Sequence, residues 1–415
     1  MTDVLDLTIT RLGSQGDGIA ETPEGAVFLP YVLAGEQVTA EMVEGRARVI
    51  DVVVPSADRI VPICRHFTVC GGCATQHMAA RAEQAWKTAL VATAFSQQRI
   101  DTVINPIIAS KPGTRRRAVF AARRTKAGAI LGFHEPRTHD IVDLAQCPIL
   151  SPEIESRIPA LRALAAALVS RSGEARMTVT VVDNGVDVVV EDAKPELNFD
   201  ERATIAGLAR SARIIRLTVK GETVYESDEP LLRFGAARVV PAPGVFLQAV
   251  PEVESAMTAL ISAAIGPKAK RVADLFCGAG TFTFPMAARC EVLAVDGDKL
   301  AIAALETAFK RAQGMRPVTA KARDLFREPM SAKELERCDA VVFDPPRAGA
   351  DTQARMIAKS KVPTVIAVSC APSTLARDVR TLMEGGYVVE SVTPIDQFLF
   401  SPHVEAVAVL RRPKR

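Results

Sequence analysis

The chain has 415 residues, of which 48% are hydrophobic, 24% charged and 5% aromatic. This apolar content excludes an intrinsically disordered protein, and the length predicts two or three domains. A run of about 18 apolar residues is absent, and the start MTDVLDLTITRLG lacks a charged-then-apolar signal pattern, so we expect neither membrane insertion nor secretion. The formal net charge of +3 does not identify a partner, because positive charge can be concentrated locally.

The first 54 residues alternate apolar and polar side chains in short segments that glycines separate. The segments LDLTITRLG, AVFLPYVLAGEQVTAEMV and RARVIDVVV have the period of two that is typical of β-strands. Short strands with glycine turns predict a small β-barrel of the oligonucleotide-binding type. A barrel that serves only as a scaffold is the alternative.

Four cysteines follow this region. Cys64, Cys70 and Cys73 have the spacing C-x5-C-x2-C, and Cys147 stands far downstream in a Cys-Pro pair. In a cytosolic protein such cysteines indicate metal binding or catalysis before disulfides. Three local cysteines and a distant Cys-Pro are characteristic of iron–sulfur ligation, whereas structural zinc prefers paired C-x2-C knuckles. We therefore predict a 4Fe–4S cluster, with zinc and unligated thiols as the alternatives.

Residues 55–235 predict a mixed α+β region that contains a strongly basic stretch. The segment KPGTRRRAVFAARRTK, residues 111–126, has seven basic residues in sixteen and no acid. A solvated surface is one interpretation. Alternation of arginine with apolar residues instead predicts a strand that presents arginines to nucleic-acid phosphates. The candidate residues are Arg115, Arg116, Arg117, Arg123 and Arg124.

Residues 236–415 have a different pattern, in which buried-type strands alternate with amphipathic helices. This alternation predicts an α/β fold with a doubly wound, mostly parallel sheet. Ligands of such sheets bind outside the carboxyl ends of the strands. The motifs that carry chemistry in this segment all fall at such ends.

A glycine loop, DLFCGAGT, follows one predicted strand and precedes a helix. Gly278 and Gly280 let the backbone approach a ligand closely, and the helix N-terminus favours anionic groups. Asp296 ends the next strand, where an acid can bind two ribose hydroxyls, and Asp324 ends the third. The loop predicts a nucleoside-cofactor site and leaves S-adenosylmethionine and NAD both open.

The fourth strand ends in Asp344-Pro345-Pro346-Arg347. Two prolines fix backbone angles and remove two amide donors, so the turn is stiff. An Asp-Pro-Pro-aromatic turn is associated with methylation of exocyclic amines, where the ring stacks on a base. Arg347 replaces that ring here. The turn therefore fits a base-modifying methyltransferase and argues against amine chemistry.

Cys370 closes the fifth strand within VSCAP, and Glu405 starts the last strand within HVE. A buried core thiol and an arginine-paired strand acid are the alternatives. Uracil C5 is a poor nucleophile. Thiolate addition at C6 raises the electron density on C5, so that this carbon can attack a sulfonium methyl group. A base must then remove the C5 proton so that the thiol can leave. The pair predicts uracil-C5 methylation, with Cys370 as nucleophile and Glu405 as base.

Taken together, these motifs resemble the bacterial RNA uracil-C5 methyltransferases, which make 5-methyluridine in rRNA or tRNA. The resemblance spans residues 64–407 and is carried by C-x5-C-x2-C with a distant CP, RRRA, VFLQ, DLFCGAGTFTFP, DPPRAG, SC-x-P and HVE. The N-terminal segment looks like a TRAM domain. The chain departs from the family pattern at Thr281, Ala371 and Phe400, where Asn, Asn and His are common.

The resemblance implies three domains: a TRAM barrel at 1–54, an iron–sulfur central domain at 55–235 and an S-adenosylmethionine-dependent methyltransferase domain at 236–415. It also implies the nucleophile and base named above and cluster ligation by the four upstream cysteines. In this family the helix that follows the third cysteine can pack on the catalytic domain, and the resemblance allows the same packing for the helix after Cys73. Positions that match cofactor-contacting residues, together with the loop glycines, are Gln248, Phe276, Gly278, Gly280, Thr281, Asp296, Asp324 and Asp344.

The expected function is methylation of C5 of a uridine in structured RNA by a cytoplasmic, monomeric enzyme. The expected substrate is 23S rRNA, because the cluster and the TRAM segment occur together as in rRNA-type members, and a tRNA T-loop uridine is the alternative. A non-catalytic RNA-binding protein is disfavoured by the intact Cys370 and Glu405. A radical enzyme is disfavoured by the C-x5-C spacing and by Cys147 as a fourth ligand.

Overall fold

A computed structural model describes residues 4–43, 46–194 and 196–413. Within these ranges, the helices are either too short or too polar to cross a membrane.

The N-terminal region consists of two small antiparallel sheets that share one apolar core. One sheet has the order β1-β5-β6 and the other β2-β3-β4. Leu7, Leu29 and Val38 are buried in the shared core. The strands are β1 (Val4–Thr8), β2 (Arg11–Leu12), β3 (Gly18–Thr22), β4 (Gly25–Leu29), β5 (Gln37–Val43) and β6 (Arg46–Val54).

The segment after the cysteine motif lies against the C-terminal half of the molecule. Helix α1 (Ala80–Gln97) buries Val91 and Phe95 in a core that it shares with C-terminal strands. Strand β7 (Ile108–Ala109) pairs in parallel with a strand at residues 388–396. Residues 80–109 therefore pack on and extend the C-terminal sheet, although they precede the central region in the chain.

The central region is one seven-stranded sheet covered by helices on one face. Its order is β10-β9-β8-β11-β12-β13-β14. An Asn198–Glu201 capping box begins α4, so the first turn of that helix has its backbone donors satisfied. The elements are β8 (Arg117–Thr125), β9 (Gly128–His134), β10 (Ile141–Asp143), α2 (Pro152–Glu155), α3 (Ile158–Leu168), β11 (Glu174–Val182), β12 (Gly185–Glu191), α4 (Phe199–Ser211), β13 (Ile214–Val219) and β14 (Glu222–Glu226).

The C-terminal region begins with a hairpin and a helix and continues as alternating strands and helices. The hairpin is β15 (Leu232–Phe234) and β16 (Ala237–Val239), followed by α5 (Pro251–Ile265). The remaining elements are β17 (Arg271–Leu275), α6 (Thr283–Ala287), β18 (Glu291–Asp296), α7 (Lys299–Arg311), β19 (Val318–Ala322), α8 (Ala332–Leu335), β20 (Ala340–Phe343), α9 (Asp351–Lys359), β21 (Thr364–Ser369), α10 (Pro372–Glu384), β22 (Val388–Asp396) and β23 (Glu405–Arg411).

The sheet of this region has the order β19-β18-β17-β20-β21-β23-β22-β7. The five strands from β19 to β21 are parallel, and β23 runs antiparallel to both of its neighbours. Apolar cores lie on both faces, which explains why the strands are near-continuous apolar runs such as AVVF and TVIAVS. The predicted α/β fold is confirmed, and β23 makes the sheet mixed.

Candidate active site

The chain order of the parallel strands reverses between β17 and β20, which creates a crevice at their carboxyl ends. The glycine loop follows β17, Asp344 follows β20, and Cys370 follows β21. Asp296 is the last residue of β18. The sequence-predicted cofactor and catalytic residues therefore meet at one edge of the sheet.

At two positions, the glycine loop has a backbone conformation that favours glycine over residues with a side chain. Gly278 and Gly280 both have positive φ, +53° and +101°. A Cβ atom on Gly280 would lie 2.6 Å from the Phe284 ring, so that position requires glycine. The backbone amide of Gly278 donates to Asp296 Oδ2 over 2.8 Å, which ties the loop to the end of β18. Thr281 follows, half-buried, just before α6.

A buried carboxylate lies beneath this loop. Asp274 Oδ2 accepts a hydrogen bond from Thr283 Oγ1 over 2.5 Å, and Asp274 Oδ1 has no hydrogen-bond partner among the described residues. Burial, together with the nearby charge of Asp296, raises the pKa of Asp274 to about 7. An unsatisfied buried acceptor at a crevice indicates a ligand donor that completes its hydrogen bonding.

Two aromatic rings stand at the side of the crevice. Phe276 adopts φ +61°, an uncommon backbone for a bulky residue, and its ring centroid lies 5.5 Å from that of Phe326. Asp324 Oδ1 accepts from the Phe326 amide over 2.9 Å and so shapes the loop after β19. The predicted residues Phe276 and Asp324 thus lie on the same wall of the crevice.

Strand pairing brings Cys370 and Glu405 together. Ser369 of β21 is opposite Ala406 of β23, so the next residue of β21 and the preceding residue of β23 are Cys370 and Glu405. Glu405 is only 3% exposed, whereas Cys370 is half-buried and open to the crevice. The two residues lie at the same end of adjacent strands, although 34 positions separate them in the chain.

Burial and neighbouring charges shift the pKa values of both residues of the pair. Burial raises the pKa of Glu405 to about 7, against opposing effects of a hydrogen bond from Gln397 and the charge of Arg347. Burial also raises the pKa of Cys370, and the charge of Glu405 adds to that, while Arg347 opposes both. Burial and the charge of Glu405 raise the pKa of Asp344 well above its usual range.

A chain of buried amides connects these carboxylates. Gln248 Nε2 donates to Asp344 Oδ2 over 3.1 Å, and Gln397 Nε2 donates to Gln248 Oε1 over 2.8 Å. Gln397 also donates to Glu405 Oε2. Gln248 was predicted from the VFLQ motif, whereas Gln397 was missed. Gln397 follows Asp396 directly after β22, and the local sequence there carries no motif that singles it out.

The four upstream cysteines line one cavity of about 550 Å³. Arg347, Phe398 and His403 line the same cavity, and the charge of Arg347 also acts on Cys370 and Glu405. Within the described residues, no group of three or more His, Cys, Asp or Glu side chains is arranged to hold a single metal ion. Burial raises the pKa values of three of these thiols, which are Cys70, Cys73 (to about 12) and Cys147 (to about 11).

The five predicted RNA-binding arginines do not form one surface. Arg116 differs most from the prediction, because it is 8% exposed and its guanidinium donates to Gln248 O and to the Glu254 carboxylate. Arg116 stands just before β8, and its acceptors around residues 248–254 hold it inward. Arg115 lines the cysteine cavity, and Arg123 pairs with Glu174 over 2.8 Å. Arg117 and Arg124 are half-buried.

Comparison with known proteins agrees with this geometry. Residues 241–413 match the family described as tRNA (uracil-5-)-methyltransferase. An uncharacterized RNA methyltransferase of Brucella suis is 45% identical over 409 residues, which are 99% of this chain and 98% of the relative. The 23S rRNA (uracil(1939)-C(5))-methyltransferase RlmD of Shewanella woodyi is 31% identical over 430 residues, covering 98% of this chain and 95% of the relative.

The fold is shared with a solved structure over nearly the whole chain. The tRNA (uracil-54, C5)-methyltransferase of Pyrococcus abyssi, solved in complex with S-adenosyl-L-homocysteine, superposes with a TM-score of 0.75. It is 21% identical, and the match covers 98% of this chain and 99% of that one. With full-length relatives at 31–45% identity, the chain belongs to the RNA uracil-C5 methyltransferase family.

Proposed function

We propose that this enzyme methylates C5 of a uridine in 23S rRNA with S-adenosylmethionine as methyl donor. The observation that carries the proposal is the placement of Cys370 and Glu405 at one end of adjacent strands, beside the crevice of the glycine loop. The relative RlmD, named for a 23S rRNA uracil, supports the choice of RNA. A tRNA T-loop uridine is the alternative substrate, and the family description names tRNA.

The residues of the crevice fit S-adenosylmethionine. Asp274 Oδ1, buried and without a partner among the described residues, offers an acceptor to an ammonium or hydroxyl donor. Nothing lies within 4 Å of the position that a Cβ on Gly278 would take, so a ligand can approach the backbone there. We assign Asp296 to the ribose hydroxyls and Phe276 to the aromatic base of the cofactor. When bound, S-adenosylmethionine supplies the electrophilic methyl group that C5 takes.

The chain's own residues carry the remaining chemistry. The thiolate of Cys370 adds to C6 of uracil, and the electron density that this places on C5 makes that carbon nucleophilic. Arg347, close to both Cys370 and Glu405, favours their ionised forms. After C5 has taken the methyl group, the carboxylate of Glu405 removes the C5 proton and Cys370 leaves.

The cysteine cavity is proposed to hold a 4Fe–4S cluster. Four thiols facing one cavity are the donor set of such clusters, which need thiolates at several irons rather than at one centre. The cluster residues would hold the cysteine loop against the segment that precedes Glu405. We assign no step of the methylation to the cluster.

RNA binding is proposed for the N-terminal sheets, as a TRAM barrel, and for the arginines of β8 that reach solvent. Arg123 and Arg124 are the candidates for phosphate contacts on this strand. Arg115 is proposed to act nearer the active site, because its guanidinium carbon lies 6.0 Å from the Phe398 ring. The proposal treats the enzyme as cytoplasmic and monomeric.

The test is a covalent trap. RNA that contains 5-fluorouridine lacks the proton that the base removes, so the methylated adduct with Cys370 accumulates and survives denaturing electrophoresis. We expect the adduct with the unaltered enzyme and none with Cys370→Ala, while both bind S-adenosylmethionine. An adduct in Cys370→Ala would refute the assignment of the nucleophile.

The RNA target is tested separately. Mass mapping of 5-methyluridine in 23S rRNA and in tRNA, from strains with and without this gene, identifies the lost modification. Loss from 23S rRNA supports the proposal. Loss confined to the tRNA T-loop selects the alternative substrate, and loss from neither RNA overturns both.

A further inference from the structure

Gln397 is the hydrogen-bonding centre of the active site, because it contacts both the predicted cofactor residue Gln248 and the predicted base Glu405. It is 3% exposed and stands directly after β22. Its Oε1 accepts from the backbone amide of Ala249 over 3.1 Å, and its Nε2 donates to both Gln248 Oε1 and Glu405 Oε2. Both polar atoms of the side-chain amide, Oε1 and Nε2, therefore have partners.

The backbone of Ala249 fixes which way this amide faces. A peptide N–H can only donate, so the Gln397 carbonyl oxygen must face it and the NH₂ group must face the other way. The two N–H bonds then point at Gln248 and Glu405, which both accept. A rotated amide would leave the Ala249 amide and the Glu405 carboxylate each facing a group of their own kind.

This orientation matters because the other neighbours of Glu405 divide in sign. The charge of Glu405 raises the pKa values of Asp344 and of the free Cys370 thiol, whereas the charge of Arg347 lowers the pKa of Glu405. Arg347 is exposed, while Gln397 is buried in the core. The fixed donor to the Glu405 carboxylate is thus the Gln397 amide.

Resting on the proposed function, we propose that Gln397 is a positioning residue that holds Glu405 ionised and aimed for removal of the C5 proton. In that step a Glu405 oxygen takes the proton, and the C5–H electron pair becomes the C5–C6 double bond. The C6–S bond breaks, and its electron pair returns to Cys370 as thiolate. The contact with Glu405 acts on this second half of the reaction, because addition and methylation do not use Glu405 as a base, whereas the contact with Gln248 bears on cofactor binding and is read separately as the Kd of S-adenosylmethionine.

The test variant is Gln397→Met, which keeps the length of the side chain and removes both donors. We expect the adduct to form with uridine RNA at a rate within about 3-fold of the unaltered enzyme, and to break down at least about 10-fold more slowly. A methylated covalent complex, invisible in the unaltered enzyme at steady state, then accumulates on denaturing gels. Deuterium at C5 of the uridine should slow breakdown in the variant more than in the unaltered enzyme.

The pH dependence gives a readout that a loss of packing does not produce. The hydrogen bond from Gln397 lowers the pKa of Glu405, so removing it moves the acidic limb of adduct breakdown to higher pH. Gln397→Glu is the second variant, because a nearby carboxyl moves the limb further in the same direction. These shifts are read from the adduct itself and do not depend on the amount of folded enzyme.

Gln353→Met is the matched control. Gln353 is also a buried glutamine of this region, 1% exposed, and its amide bonds only the backbone of Met330, over 2.8 and 3.1 Å. We expect this variant to lose stability without accumulating adduct. If Gln397→Met slows adduct formation and breakdown equally, or behaves as Gln353→Met does, the inference is overturned. Failure of the unaltered enzyme to be trapped by 5-fluorouridine RNA would instead overturn the proposed function.

Discussion

Lys87 Nζ lies 2.7 Å from Asp396 Oδ1, and this contact joins residues that are 309 positions apart in the chain. Both side chains are almost completely buried. Glu83 completes an ion network at 3.2 Å from Lys87, and it also accepts from the Phe400 amide over 2.8 Å. The network fastens the helix behind the cysteine motif to the segment that carries Gln397 and leads into Glu405.

Replacing Lys87 by methionine should destabilise the enzyme strongly. The variant leaves Glu83 and Asp396 as buried carboxylates without a cation, which costs about 3–5 kcal/mol. Urea unfolding measures the change in the free energy of unfolding. Lys359→Met, at an exposed lysine in the last turn of α9, is the control and should change it by less than about 0.5 kcal/mol. Equal effects of the two variants would contradict a structural role for the network.

Breakdown of the methylated adduct should accelerate as pH rises through about 7. Only the ionised carboxylate of Glu405 accepts the C5 proton, and burial raises the pKa of Glu405 to about 7, so the ionised fraction grows across that range. The adduct is formed at low pH with uridine RNA and its decay is followed after a jump to each final pH. Ionisation of Cys370 affects formation and leaves this decay unchanged. Glu405→Gln should keep the adduct intact at every pH. If the decay rate of the unaltered enzyme's adduct does not change between acidic and alkaline pH, the assignment is contradicted.

Asp296 and Asp298 should separate cofactor binding from folding. Asp296 is proposed to bind ribose hydroxyls, so Asp296→Ala should weaken S-adenosylmethionine binding by about 1.5–3 kcal/mol, roughly 10- to 150-fold in Kd. Asp298 caps α7 by accepting from the amides of Leu300 and Ala301. Asp298→Ala should therefore cost about 1 kcal/mol of stability and leave the Kd unchanged. Calorimetric titration and thermal unfolding of both variants check the two halves, and a normal Kd for Asp296→Ala would remove it from the site.

The cysteine cavity makes a prediction about iron. Enzyme purified without oxygen should carry iron and sulfide in equal amounts, with visible absorbance that dithionite or a chelator bleaches. Cys147→Ser, which removes the distant thiol, should lower the iron content and the absorbance. Cys338→Ala, at a buried cysteine of the catalytic core, is the control and should retain both. If the purified enzyme contains zinc in place of iron, the cluster hypothesis is wrong and the alternative, a zinc site, is supported.

The amino-acid sequence predicted the catalytic crevice better than the domain boundaries. Strand-end motifs are local, and the rule that ligands bind at the carboxyl ends of parallel strands brings Asp296, Asp344 and Cys370 together without further information. The position of Glu405 beside Cys370 needed the antiparallel pairing of β21 with β23, which periodicity does not reveal. The chemistry that uracil-C5 methylation requires, together with the family resemblance, indicated that pair, and the pattern of the strands did not.

Long-range polar contacts were beyond the reach of the sequence. Lys87 looks like one charged residue of an amphipathic helix, and its burial depends on a strand about three hundred residues later. Arg116 looks like part of a basic surface, and its inward direction depends on the segment around Gln248. Gln397 has no motif of its own. In each case the role is set by a partner that local pattern and spacing do not identify.

The insertion of residues 80–109 into the C-terminal sheet has a consequence for biosynthesis. Val91 and Phe95 leave the ribosome long before Val392 and Leu410, with which they share a core. Until translation is nearly complete, the apolar face of α1 remains exposed to solvent. Contacts between residues so far apart in the chain also form slowly. Nascent chains stalled before β22 should therefore bind chaperones. A fragment that begins at residue 236 should aggregate and should not serve as a minimal enzyme.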